Sequence, residues 1–188
     1  MSSRIKEKLE DCPVIAAIKD QEGLTECLKT DCGIVFILYG DIMNIAHIVE
    51  QVRSAGKLAM VHLDLIAGLG SREVSVDFIH TIARADGIIS TKPALIRRAK
   101  ELKLYTVMRV FVIDSMAIDT IPRQCEQARP DCIEILPGVM PKVIRRIVQE
   151  IREPVIAGGL IVDKEDVMSA LDAGAISIST TNRGLWYV

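Results

Sequence analysis

Eight short, β-rich apolar runs recur along this chain with helix-forming stretches between most of them, and that alternation limits the fold more than any other feature. The runs cover residues 14–19, 34–39, 58–65, 87–91, 106–113, 132–136, 155–157 and 175–179. Most are continuously apolar rather than alternating, the pattern of parallel strands covered on both faces. Between them, Asp41 is placed to cap a helix reaching Ser54, and Ser71 precedes one over 75–84. Pro93 opens 94–102, Asp114 or Ser115 caps 116–128, and Pro141 opens 142–151. Asp163 caps 164–173, which Gly174 closes. Eight strand–helix units count to an α/β chain folded as a (β/α)₈ TIM barrel. Its 188 residues fall short of the ~250 usual for that fold, so the expected barrel is compact, with a truncated last helix.

No Pro/Ser/Gly-rich linker divides the chain, which predicts a single domain over 1–188. An open doubly wound sheet is the alternative. The first run leads into Lys19-Asp20-Gln21-Glu22-Gly23 rather than G-x-G-x-x-G, which weakens a dinucleotide site there. Aromatics are only 4% of residues, so aliphatic side chains must fill the core. No apolar run approaches the ~20 residues of a membrane helix, and residues 1–11 are charged, without a secretory core, so a cytoplasmic protein with no membrane contact is expected. The five cysteines contain no C-x-x-C pair and read as reduced thiols rather than disulfides or a zinc site.

Function in a barrel gathers at the carboxyl ends of the strands. Those ends carry Lys19, His62 with Asp64, Lys92, Arg109 and Glu134, charged or polar residues that turn chemistry alone does not place beside apolar strands. The seventh run ends in Gly158-Gly159 and the eighth in Ser179-Thr180-Thr181-Asn182. Phosphate-binding barrels hold their anion in these two loops, so Gly158, Gly159, Ser179, Thr180 and Thr181 are the candidate phosphate residues, with a helix starting near Asn182 adding its positive end. Taken separately, the same motifs are two ordinary turns and an N-cap. His62 and Asp64 share one face of a strand; with His47 and His80 on outer helices, no metal site is expected. The loop 66–72, with two glycines, reads either as a lid over the mouth or as a plain connection.

Two basic clusters mark the outer helices: Lys92, Arg97, Arg98, Lys100 and Lys103, and Lys142, Arg145, Arg146 and Arg152. Solvated helix faces commonly look like this. Arg97, Arg98, Lys100, Lys103, Arg145 and Arg146 are nonetheless the candidates for contacts to a nucleic-acid backbone, although the net charge of −2 argues against indiscriminate binding and no aromatics interleave for base stacking.

The segments His62-Leu63-Asp64-Leu65-Ile66-Ala67-Gly68-Leu69, Ser90-Thr91-Lys92-Pro93, Glu134-Ile135-Leu136-Pro137-Gly138, Gly158-Gly159-Leu160-Ile161 and Ser179-Thr180-Thr181-Asn182-Arg183-Gly184-Leu185-Trp186 together resemble the glycerol-3-phosphate-responsive antiterminators of bacterial glycerol uptake operons, from Val14 to Trp186. The resemblance implies a barrel that binds glycerol 3-phosphate as effector, needs no cofactor, and acts on leader mRNA of glycerol operons so that transcription passes a terminator. It carries no RNA-contacting residue to a named position. The competing reading is an enzyme, a sugar-phosphate isomerase, epimerase or aldolase, with Glu134 as base and Lys19 or Lys92 as electrophile. Oligomeric state, a homo-oligomer included, is open at this level.

Overall fold

The structure, a computed structural model, describes residues 3–187. Eight parallel strands close into a barrel in sequence order: β1 (Val14–Ile18), β2 (Ile34–Ile37), β3 (Leu58–His62), β4 (Gly87–Ser90), β5 (Tyr105–Phe111), β6 (Cys132–Leu136), β7 (Val155–Gly158) and β8 (Ser177–Thr180), which pairs back onto β1. Nearly every strand residue is buried, because one face points into the barrel and the other under the helices. Seven helices lie outside: α2 (Gln21–Cys27), α3 (Ile45–Ser54), α4 (Glu73–Phe78), α5 (Pro93–Glu101), α6 (Ser115–Ala128), α7 (Pro141–Glu150) and α8 (Lys164–Asp172). After β8 comes only one 3₁₀ turn, Arg183–Leu185, the truncated last helix expected from the length.

Strand register separates two apolar layers. Ala17, Phe36, Met60 and Gly87 stand side by side on neighbouring strands and point inward. Gly87 is dictated by that layer: a Cβ there would lie 2.6 Å from the Met60 sulfur and 2.4 Å from the Tyr105 carbonyl. Residues one step along, such as Ala16, Val35, Val61 and Ile88, form the larger layer beneath the helices. The helix α1 (Ser3–Asp11), which the strand–helix count did not anticipate, inserts Ile5 and Leu9 among the interior side chains Ile15, Phe36 and Met60. It closes the end of the barrel from which the strands start.

Caps follow the sequence where a carboxylate precedes a helix: Asp114 accepts from Ala117 N, and Asp163 from Asp166 N. Two expected boundaries move. The third strand stops at His62 and residues 63–65 form a 3₁₀ turn, because the Asp64 carboxylate is drawn sideways to Ser90 Oγ and Thr91 N at the end of β4. The helix expected from Asp41 begins at Ile45, since Asp41 bonds Met43 N and Asn44 N in a tight turn and bridges to Ala67. Helix α4 widens into a π-helical turn over Ile79–Ala83. Arg84, Lys103 and Arg129 then reverse the chain after their helices with φ of 55°, 60° and 49°, at roughly 1 kcal/mol each for a non-glycine residue.

Leu9→Ala is expected to lower unfolding stability by about 2–5 kcal/mol, the cost of a cavity in the sealed end, with little change in far-UV circular dichroism. Denaturant unfolding of the two proteins checks it.

Candidate functional site at the barrel mouth

Four strands carry a polar inward residue near the carboxyl end: His62 on β3, Arg109 on β5, Glu134 on β6 and Ser179 on β8, with Phe111 and Leu136 one inward step beyond Arg109 and Glu134. Arg109 and Glu134 are register partners, and Arg109 Nε donates to Glu134 Oε2 at 2.5 Å. Ser179 Oγ donates to Glu134 Oε1 at 2.5 Å. Glu134 is wholly buried, so each of its oxygens has a donor where desolvation would otherwise be costly. Gly158 lies between these groups: a Cβ there would meet Glu134 Oε1 and Ser179 Oγ, each at 2.6 Å. Its missing side chain makes room for the carboxylate and the hydroxyl. Arg109 is buried, strand parity points its side chain inward, and its two terminal amino groups bond no described residue.

His62 is 3% exposed, and its Nδ1 is buried without a partner among the described residues. Burial, reinforced by the Arg109 charge, lowers its pKa to about 4, so the imidazole is neutral at physiological pH. Asp64 sits in the adjoining turn. Burial raises its pKa, but the Thr91 N–H and the Ser90 hydroxyl outweigh burial and hold the carboxyl below its ordinary value. Its Oδ1 has no hydrogen-bond partner and lies 3.4 Å from Lys92 Nζ, which also bonds Ser71 Oγ. Lys92 thus laces the loop after β4 to the loop after β3.

The remaining candidates disperse. Lys19 is exposed just beyond β1. Thr180 faces the outer layer, where its hydroxyl donates to Ile161 O and accepts from Asn182 N. Thr181 is exposed, and Gly159 has φ 75°, with Leu136 3.2 Å from where its Cβ would stand. Arg98 pairs with Asp77 and Glu101, Lys100 with Asp131, and Arg146 with Asp119 and Glu150. Arg97, Lys103 and Arg145 are exposed and form no ion pair with a described residue. The clusters sit on α5 and α7, on either side of α6. Sequence reasoning missed Arg183, which reaches Asp20 and Glu22 at 3.0 and 2.9 Å and ties the last turn to the first loop; nothing local in the sequence signals that pairing. Among the described residues, no His/Cys/Asp/Glu cluster could hold a metal ion, and all five cysteines are buried and outside any disulfide.

Ser179→Ala is expected to cost about 1–3 kcal/mol by leaving Glu134 Oε1 without its donor. Gly158→Ala should cost more, and the double variant less than the sum, because removing the serine oxygen relieves part of the crowding. Denaturant titrations of the four proteins measure this. For His62, the unfolded state binds a proton near pH 6.5 and the folded state only near 4, so stability falls as pH drops between those values. His62→Gln should flatten that part of the stability–pH curve.

The family model described as glycerol-3-phosphate responsive antiterminator matches residues 14–186. YgcP of Escherichia coli (strain K12) is 43% identical over 178 residues, 95% of this chain and 93% of that protein. The glycerol uptake operon antiterminator regulatory protein of Listeria monocytogenes str. 4b F2365 superposes with a TM-score of 0.90 at 34% identity, over 94% of this chain and 95% of that one. A glycerol uptake operon antiterminator-related protein of Thermotoga maritima MSB8 gives 0.82 at 35% identity, over 92% and 96%. With a closed barrel, a polar mouth and a match over nearly the whole chain, this protein belongs to the glycerol-3-phosphate responsive antiterminator family.

Proposed function

We propose that the chain is a cytoplasmic sensor of glycerol 3-phosphate that, with effector bound, engages leader mRNA of glycerol operons and promotes antitermination. The observation that carries the effector half is Arg109, fixed by Glu134 and turned to a polar mouth beside a neutral His62. Arg109 and Lys19 supply positive charge for the phosphate. The loops holding Gly158, Gly159, Ser179, Thr180 and Thr181 supply its cradle through backbone N–H groups, since the Ser179 and Thr180 hydroxyls already donate elsewhere. His62 Nδ1 and Asp64 Oδ1, which have no hydrogen-bond partner among the described residues, are the polar atoms for the glycerol hydroxyls, with Lys92 ion-paired to Asp64 beside them. Arg97, Lys103 and Arg145 are the cations left for RNA phosphates.

The enzyme reading fits these groups less well. A general base needs a carboxylate oxygen free to take a proton, and both oxygens of Glu134 already accept hydrogen bonds. A Schiff-base lysine needs a desolvated amine within the mouth, whereas Lys92 is clasped by Ser71 and Asp64 and Lys19 is exposed at the rim, where it can meet a phosphate but is not desolvated.

Glycerol 3-phosphate should raise the melting temperature and glycerol at equal concentration far less. Arg109→Met with Glu134→Gln, which leaves no buried charge unpaired, should fold and lose that shift. Filter binding to a glycerol operon leader should tighten with effector and weaken steeply with salt, and charge reversal at Arg97 or Arg145 should lower the salt slope. Turnover of a sugar phosphate without effector-dependent RNA binding would reverse the assignment.

A further inference from the structure

Among the described residues twelve large apolar side chains are left in solvent, and five of them fall on two neighbouring loops of the mouth. Phe111, Ile113 and Met116 follow β5, and Leu160 and Val162 follow β7; Ile113 is 85% exposed and Met116 74%. Between them lies the end of β6, where Leu136 is the register partner of Phe111 and packs against Gly159, and where Gly138 N donates to Gly159 O. The five side chains therefore stand on the two loops that flank the end of β6, an arc on the β5–β7 side of the mouth. Each exposes roughly 100 Å², on the order of 500 Å² together, at the upper end of the largest apolar patch a monomer ordinarily shows.

We propose that this arc is a two-fold interface between two copies of the chain. A homodimer of standard size buries about 800 Å² per partner, about 65% of it apolar, which is close to the area the arc supplies. A two-fold contact needs a surface complementary to itself, and the apolar side chains meet that condition, while the Asp114 and Asp163 carboxylates between them are turned to the first turns of α6 and α8. RNA or an anionic lipid surface fits it poorly. The loops 112–116 and 159–163 contain no Lys or Arg, and their charged residues are Asp114 and Asp163, whose carboxylates cap α6 and α8. Phe111 stands two residues beyond Arg109 and Leu160 follows Gly159, so the arc borders the effector site; sedimentation of the ligand-free chain reads the interface alone, and the two proposals can fail separately.

Sedimentation velocity of the full chain, across low to high micromolar concentration, tests it. The expected species has twice the monomer mass, and Ile113→Asp with Leu160→Asp should raise the dissociation constant at least about 30-fold without altering circular dichroism or monomer melting. Met116→Lys, at a separate point of the arc, should weaken the dimer in the same way. A wild-type chain that stays monomeric throughout overturns the proposal. So does a dimer that both folded variants leave intact, which would place the interface elsewhere. A monomer whose arc variants lose leader-RNA binding would assign the face to RNA instead.

Discussion

The ion pair between Arg109 and Glu134 is the constraint around which the mouth is arranged. Two charges are taken out of water on adjacent strands, and loss of either partner would leave the other buried alone, at about 3–5 kcal/mol. The pair is tolerable because the carboxylate is saturated: the guanidinium holds one oxygen and the Ser179 hydroxyl the other, across the missing side chain of Gly158. Strands β5, β6, β7 and β8 are thereby matched at one level of the barrel. Burial, with the Arg109 charge added to it, keeps His62 neutral at physiological pH.

How much of this was legible in the chain depended on the range of each interaction. Continuous apolar runs mark strands buried on both faces, and all eight were placed within a few residues. Caps at Asp114 and Asp163 were readable because donor and acceptor lie three residues apart. Where a boundary moved, a contact from another part of the chain moved it: Ser90 and Thr91 pull Asp64 out of strand geometry, and Ala67 holds Asp41 away from its helix. Helix α1 escaped notice because its charged sequence shows little of the apolar face, Ile5 and Leu9, that it buries.

The site shows the same division. That His62, Arg109, Glu134 and Ser179 gather at one end follows from strand parity once a barrel is assumed. Which atoms remain free does not. Thr180 looks like a phosphate hydroxyl by position, yet parity turns it outward to Ile161. Arg98, Lys100 and Arg146 look like surface cations by composition, yet Asp77, Asp131 and Asp119 on other elements claim them. Local sequence names the residues of a cluster and is silent on partners more than twenty positions away.

Ile5 and Leu9 seal the starting end of a barrel whose interior is already filled by side chains such as Phe36 and Met60, so the level of Arg109 is reached from the mouth. Whatever settles on Arg109 enters and leaves past the same rim of loops, so its lifetime there is governed by anything that covers the rim. Under the function proposed above, an effector held there would report through the duration of its occupancy as well as its extent, and the loops after β3 and β4 that Lys92 joins are part of that rim.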